Sequence, residues 1–124
     1  GSANTRTQNV ASERAKPDSI WHFYRDVIAL RRQNPALLLG DYGQAQADGW
    51  QMAFARRSPG QSARVVFNTH NEAASWTWRD LPPNSVWQVV WPKNSPAVQA
   101  DAQGTLTLNM PGTSFAVLTK DEQP

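Results

Sequence analysis

The residues able to do acid–base chemistry here are ten carboxylates and two imidazoles in a chain of 124 residues. The acids are Glu13, Asp18, Asp26, Asp41, Asp48, Glu72, Asp80, Asp101, Asp121 and Glu122. Acid–base catalysis by carboxylates needs two of them flanking one bond, one with a raised pKa. Nearly all the acids of this chain fall in turns, caps or tails, where a carboxylate is solvated. Asp18 stands where a helix needs a cap, and Asp48 precedes a glycine in a turn, so each has a structural task. His22 and His70 are the only imidazoles and have no second His or Cys at ligand spacing, so no metal site is expected. His22 and Asp26, four apart on a helix, form a surface pair. No G-x-S-x-G elbow exists to present a nucleophilic serine, and Pro59-Gly60-Gln61-Ser62 reads as a turn, not a phosphate cradle. No catalytic residue and no cofactor are expected.

Tryptophan is the one functional lead. The chain has six, five of them after residue 40. Flat aromatic faces bind sugar rings through C–H contacts, and two indoles at strand positions i and i+2, about 7 Å apart, can line a platform. Trp76 and Trp78 have that spacing. Trp87 and Trp91, four apart on one strand, would share a face about 13 Å apart. Against this, most tryptophans in a β domain fill its core or rim. The carbohydrate-binding candidates are therefore Trp76, Trp78, Trp87 and Trp91, each weighed against simple packing. Trp76 and Trp78 are preferred because their strand is short, polar on its other face and placed at an edge.

The elements that position these residues change period near residue 40. Residues 1–16 are polar and aperiodic and read as an extended or disordered lead-in, with Gly1-Ser2 resembling a tag remnant. Pro17-Asp18-Ser19 opens a helix whose apolar face is Ile20, Phe23, Tyr24, Val27, Ile28 and Leu30. Arg31 and Arg32 suit its C-terminal end, and Asn34-Pro35 stops it. From residue 41 the alternation is two-fold. Strands are expected over Tyr42–Ala47, Trp50–Ala55, Ala63–Asn68, Ala74–Trp78, Val86–Trp91, Thr105–Met110 and Ser114–Thr119, with Asp48-Gly49, Ser58-Pro59-Gly60 and Pro111-Gly112 as turns and a loop over 92–104. Val86–Trp91 is apolar on both faces and is expected to be central. The fold class is mainly β: an antiparallel, Greek-key-type β-sandwich of about seven strands preceded by one α-helix.

Composition excludes other classes. At 40% hydrophobic and 18% charged residues the chain is globular in type. The net charge is only +2, and the basic doublets Arg31-Arg32 and Arg56-Arg57 form no stripe, so no nucleic-acid partner is expected. Without cysteine there is no disulfide framework. The longest apolar run, Ala36–Leu39, is far short of the roughly 20 residues of a membrane span.

Pro17-Asp18-Ser19-Ile20, Phe23-Tyr24-Arg25, Ile28-Ala29-Leu30-Arg31-Arg32-Gln33-Asn34-Pro35-Ala36-Leu37 and Gly40-Asp41-Tyr42 together resemble a stretch of glycoside hydrolase family 13, the α-amylase family. Asn9-Val10 is similar to its Asn-Val ahead of that stretch. Arg64-Val65-Val66-Phe67-Asn68 and Thr105–Leu118 resemble two strands of the family's C-terminal domain, so the resemblance covers about residues 9–119. It implies that residues 17–35 are the last helix of a (β/α)8 catalytic barrel and that 36–124 are the C-terminal β-sandwich. It also implies that the family's catalytic carboxylates lie upstream of this segment. The expected role is a non-catalytic domain that caps the barrel of an α-glucan-acting enzyme, with that barrel as its partner. The alternatives are a starch- or maltodextrin-binding module using exposed Trp, with α-glucan as partner, or an oligomerisation domain. By the same resemblance part of the helix face, with Trp21 beside it, packs on the barrel. A periplasmic or secreted location is favoured.

Overall fold

A computed structural model of the chain describes residues 7–11, 33, 41–48 and 51–122. Apart from Gln33, the helix expected over 17–35 lies outside the described residues, and with it Trp21 and the His22–Asp26 pair. Nine strands are present among the described residues: β1 (Thr7–Asn9), β2 (Asp41–Asp48), β3 (Gln51–Ser58), β4 (Gln61–Asn68), β5 (Ala74–Trp78), β6 (Val86–Trp91), β7 (Val98–Gln99), β8 (Leu106–Met110) and β9 (Ser114–Asp121). They form a six-stranded sheet in the order β2-β3-β4-β9-β6-β7 and a three-stranded sheet in the order β1-β8-β5. The mainly-β sandwich read from the alternation is the observed architecture. All pairings are antiparallel except that of β1 with β8.

Local chemistry accounts for the hairpins. Ser58 pairs with Gln61 across Pro59-Gly60, and Gly60 has φ 87°. Proline presets the first central residue of such a turn, and glycine takes the positive φ of the second without a Cβ penalty. Gly104, at φ 80°, has a tighter constraint, because a Cβ there would lie 2.1 Å from the Leu81 carbonyl oxygen. The chain makes this close approach where Leu81 N–H donates to Gly104 O, joining two loops.

The core lies between the sheets. Trp76, Trp78, Leu106, Leu108 and Met110 of the small sheet meet Ala53, Val66, Trp87, Ala116 and Leu118 of the large one. Directly opposed residues share a face, as Trp76 with Leu108, Trp78 with Leu106 and Val66 with Ala116 do. The period of two therefore turns whole rows inward together.

Three features depart from the sequence-based expectation. Residues 92–104 contain β7, whose two residues pair with Val86 and Trp87. Residues 7–9, read only as lead-in, lie parallel to β8 with Thr7 opposite Thr107 and Asn9 opposite Asn109. The third concerns Trp87 and Trp91, expected on one face. Val89 pairs with Leu118 but Trp91 pairs with Val117, leaving Val90 as an extra residue in β6. Such a bulge inverts the alternation beyond it. Trp87 accordingly points into the sandwich core, and Trp91 points to the opposite side of the sheet.

Candidate functional site

The strand that places Trp76 and Trp78 is an edge strand, as expected, and the two indoles do share a face. That face is the inner one. Trp76 is 5% exposed and Trp78 2%, with ring centroids 6.3 Å apart at 71°. An edge-to-face pair packed in a core offers no flat surface to a sugar. The expected platform is thus corrected to core packing: Ser75 and Thr77, not the tryptophans, face outward on β5. Trp87 is 1% exposed, and its Nε1 donates to Ser85 Oγ at 2.9 Å. The Arg64 guanidinium lies 5.9 Å from its ring centroid. Trp91 is the only one of the four with substantial exposure, and one of its faces stacks on Phe115 at 5.4 Å and 8°.

Three of the described acids, Asp80, Asp101 and Glu122, have side-chain partners. Asp80 takes Arg64 Nη1 on both its oxygens, at 3.0 and 3.1 Å. Asp101 Oδ1 accepts from Gln103 N–H and Thr105 N–H, both at 2.9 Å, and so shapes its own turn. Glu122 accepts from Ser62 Oγ at 2.8 Å and from Lys120 Nζ at 3.3 Å. The Ser62 hydrogen bond is the main cause of a Glu122 pKa below the ordinary carboxylate value; partial burial opposes it, and Lys120 and Arg57 reinforce it. A carboxylate held in its charged form this way is poorly suited to general-acid work. His70 Nδ1 accepts from Glu72 N–H at 3.1 Å, a turn contact. Among the described residues no group of three or more His, Cys, Asp or Glu could hold a metal ion.

A cleft of about 610 Å³ opens beside Gln8, Asn84, Val86, Gln99, Asp101 and Thr105. Among the described residues no aromatic ring lines it. Several of its polar groups are already paired, Gln8 with Gln99 and Gln99 with Asn84. It has neither the stacking surface of a sugar site nor a carboxylate pair.

The surface that stands out is instead the outer face of the six-stranded sheet. A second apolar cluster lies there: Ala63, Val65, Phe115 and Val117 are buried, and Phe67, Val90 and Trp91 pack against them partly exposed. Phe67, Phe115 and Trp91 form an aromatic row across β4, β9 and β6, with Phe67 and Phe115 centroids 6.0 Å apart. Met52, 48% exposed, pairs with Phe67 on the same face. All seven cluster residues come from β4, β6 and β9, and the three-stranded sheet packs on the other side. The signal for this face was present in the sequence, in the unbroken apolar character of Val65-Val66-Phe67 and of Phe115–Leu118.

Sequence reasoning also missed Asn68. It is 1% exposed and uses its whole side-chain amide. Nδ2 donates to Glu72 O and Pro111 O, both at 2.9 Å, while Oδ1 accepts from Gln51 Nε2 and His70 N–H, both at 3.1 Å. It pins the end of β4 to the turn after it and to the β8–β9 turn.

No protein-family model matches the chain. Over 51 residues it is 39% identical to an α-glucosidase of Pediococcus pentosaceus, a match covering 41% of this chain and 9% of that protein. Over 66 residues it is 35% identical to a palatinase of Erwinia rhapontici, covering 53% of this chain and 12% of that one. In structure it resembles an α-amylase from Geobacillus thermoleovorans with a TM-score of 0.70 at 19% identity, over 90% of this chain and 24% of that chain. The chain thus spans about a tenth of the length of the curated relatives it matches and about a quarter of that structure. The last likeness is one of fold.

Proposed function

We propose that this chain, which matches a C-terminal segment of α-amylase-family glycosidases, is a non-catalytic domain that caps and stabilises the catalytic barrel of such an enzyme. The observation that carries this reading is the second apolar face. A sandwich needs one core between its sheets, and this sheet is apolar on both sides. The centre of that face is buried within the chain, and what stays open is its rim, Met52 at 48% exposure with Phe67, Val90 and Trp91 half-buried, which suits a permanent apolar partner better than water. The barrel is that partner, joined through the helix expected at 17–35. Support for a non-catalytic role comes from Asp80, Asp101 and Glu122, whose carboxylates serve an ion pair, a turn and a hydrogen bond from Ser62.

The test has two arms. The isolated chain, incubated with p-nitrophenyl α-glucoside, maltose and starch, is expected to release nothing. In the parent enzyme, Phe67→Ser with Trp91→Ser should lower the thermal midpoint by several degrees while leaving KM unchanged. Burying the exposed remainder of two aromatic side chains contributes on the order of 1–3 kcal/mol. Hydrolysis by the isolated chain would end the non-catalytic reading, and an unmoved thermal midpoint would end the capping reading. Sugar binding is read separately by titration with maltoheptaose. With Trp76, Trp78 and Trp87 buried, only Trp91 of the four candidates could report a bound sugar, and the capping role predicts no saturable change in fluorescence.

A further inference from the structure

Gln8 completes two sheet edges at once. Its backbone is the middle of β1, opposite Leu108 on the edge of β8 in the small sheet. Its side chain reaches the large sheet, where Nε2 donates to Gln99 O at 2.8 Å and Oε1 accepts from Gln99 N–H at 2.9 Å. Gln99 is in β7, the terminal strand of that sheet, and its other edge is taken by β6. The side-chain amide therefore occupies the place of one further peptide unit. Two residues on, Val10 is buried in the core cluster between the sheets. Ala11 N–H then donates to Ser95 Oγ at 2.9 Å, and Ser95 Oγ in turn donates to Pro92 O at 2.8 Å.

An unpaired strand edge is a template for an extended peptide, and pockets for alternate side chains give such sites their selectivity. We propose that the edges of β8 and β7 together form a peptide-receptor site for an extended Gln-x-Val segment, filled here by the chain's own residues 7–11. The backbone ladder to β8 is indifferent to sequence. Selectivity comes from the glutamine, which must both donate to and accept from one peptide unit, and from the valine, which enters the core. Aspartate, glutamate and lysine each lack half of the first requirement. Asparagine has it but is one methylene shorter. The neighbours Thr7 and Asn9 are exposed and carry no such demand.

The test weakens the native strand and offers the segment back. The full chain carrying Gln8→Glu and Val10→Ser, labelled with nitrogen-15, is titrated with an eight-residue peptide copying residues 5–12. Saturable amide shifts are expected at Leu108, Asn109 and Gln99, with none in the unsubstituted chain, whose site is occupied. The same peptide with Gln8→Glu should bind at least tenfold more weakly. A dispersed spectrum with no shifts at millimolar peptide, or equal binding of the two peptides, overturns the proposal. Gln8→Glu alone gives an independent reading should the double variant fail to fold. Amide exchange at Gln99 and Ala11 should quicken at least tenfold relative to Ala116 in β9, and unchanged exchange at both overturns it.

Discussion

Asn68→Asp exchanges one side chain for another of the same shape and isolates hydrogen-bond chemistry from packing. In the native chain the Asn68 amide donates to Glu72 O and Pro111 O and accepts from Gln51 and His70, all while 1% exposed. A carboxylate keeps the two acceptor contacts but loses both donors and sets negative oxygens against two carbonyls. Each of these part-buried hydrogen bonds left unmade costs about 1–3 kcal/mol, so the loss at pH 7 is about 2–6 kcal/mol. Burial and the two carbonyls raise the new carboxyl's pKa in the folded state above its unfolded value of about 3.9. Protonated, it recovers one donor, so below that value the cost falls to a single missing bond, about 1–3 kcal/mol. As pH rises above about 3.9, stability relative to the unsubstituted chain should fall by about 1.4 kcal/mol per unit until the folded pKa is passed. Urea unfolding followed by tryptophan fluorescence at pH 3.5, 5 and 7 measures this directly. A cost below about 1 kcal/mol at pH 7, or one independent of pH, would refute the account of Asn68 as a fully used buried amide.

Two further substitutions separate paired from unpaired polar groups. Trp87→Phe and Trp76→Phe delete the same ring atoms, but Trp87 Nε1 donates to Ser85 Oγ while the buried Trp76 Nε1 has no hydrogen-bond partner among the described residues. The Trp87 change should therefore be the more costly by about 1–3 kcal/mol in urea unfolding, and equal costs would count against it. Ser62→Ala removes the main cause of the lowered Glu122 pKa, so the Glu122 carboxyl resonance should titrate at higher pH than in the unsubstituted chain. Because that pKa is depressed on folding, its small stabilising contribution is present above the unfolded value and lost as pH falls through the folded one. In the variant the contribution should be smaller and its loss complete at a higher pH, and an unmoved midpoint would show that Lys120 and Arg57 suffice.

Some of this molecule was legible before any coordinates. Alternation in Ala63–Asn68, Ala74–Trp78 and Thr105–Met110 located β4, β5 and β8, and Pro59-Gly60 located a hairpin. Strand period and turn stereochemistry are local properties, written in a few adjacent residues. The same locality put Trp76 and Trp78 on one face, and correctly so.

What locality cannot supply is which face is covered and by what. Trp76 and Trp78 face the core because β4, β6 and β9 lie opposite, a choice made by residues up to 42 positions away in the chain. The bulge at Val90 depends on how β6 meets β9, and no residue in Val86–Trp91 announces it, yet it alone sends Trp91 to the outer face. Gln8 and Gln99 are 91 residues apart, and neither has a pattern that names the other. The sequence by itself determined seven of the nine described strands and the turns at Pro59-Gly60 and Pro111-Gly112. Tertiary structure decided the burial of the tryptophans, the two-sided sheet and the strand clasp, because each is a contact between segments whose proximity exists only once the sheets have paired.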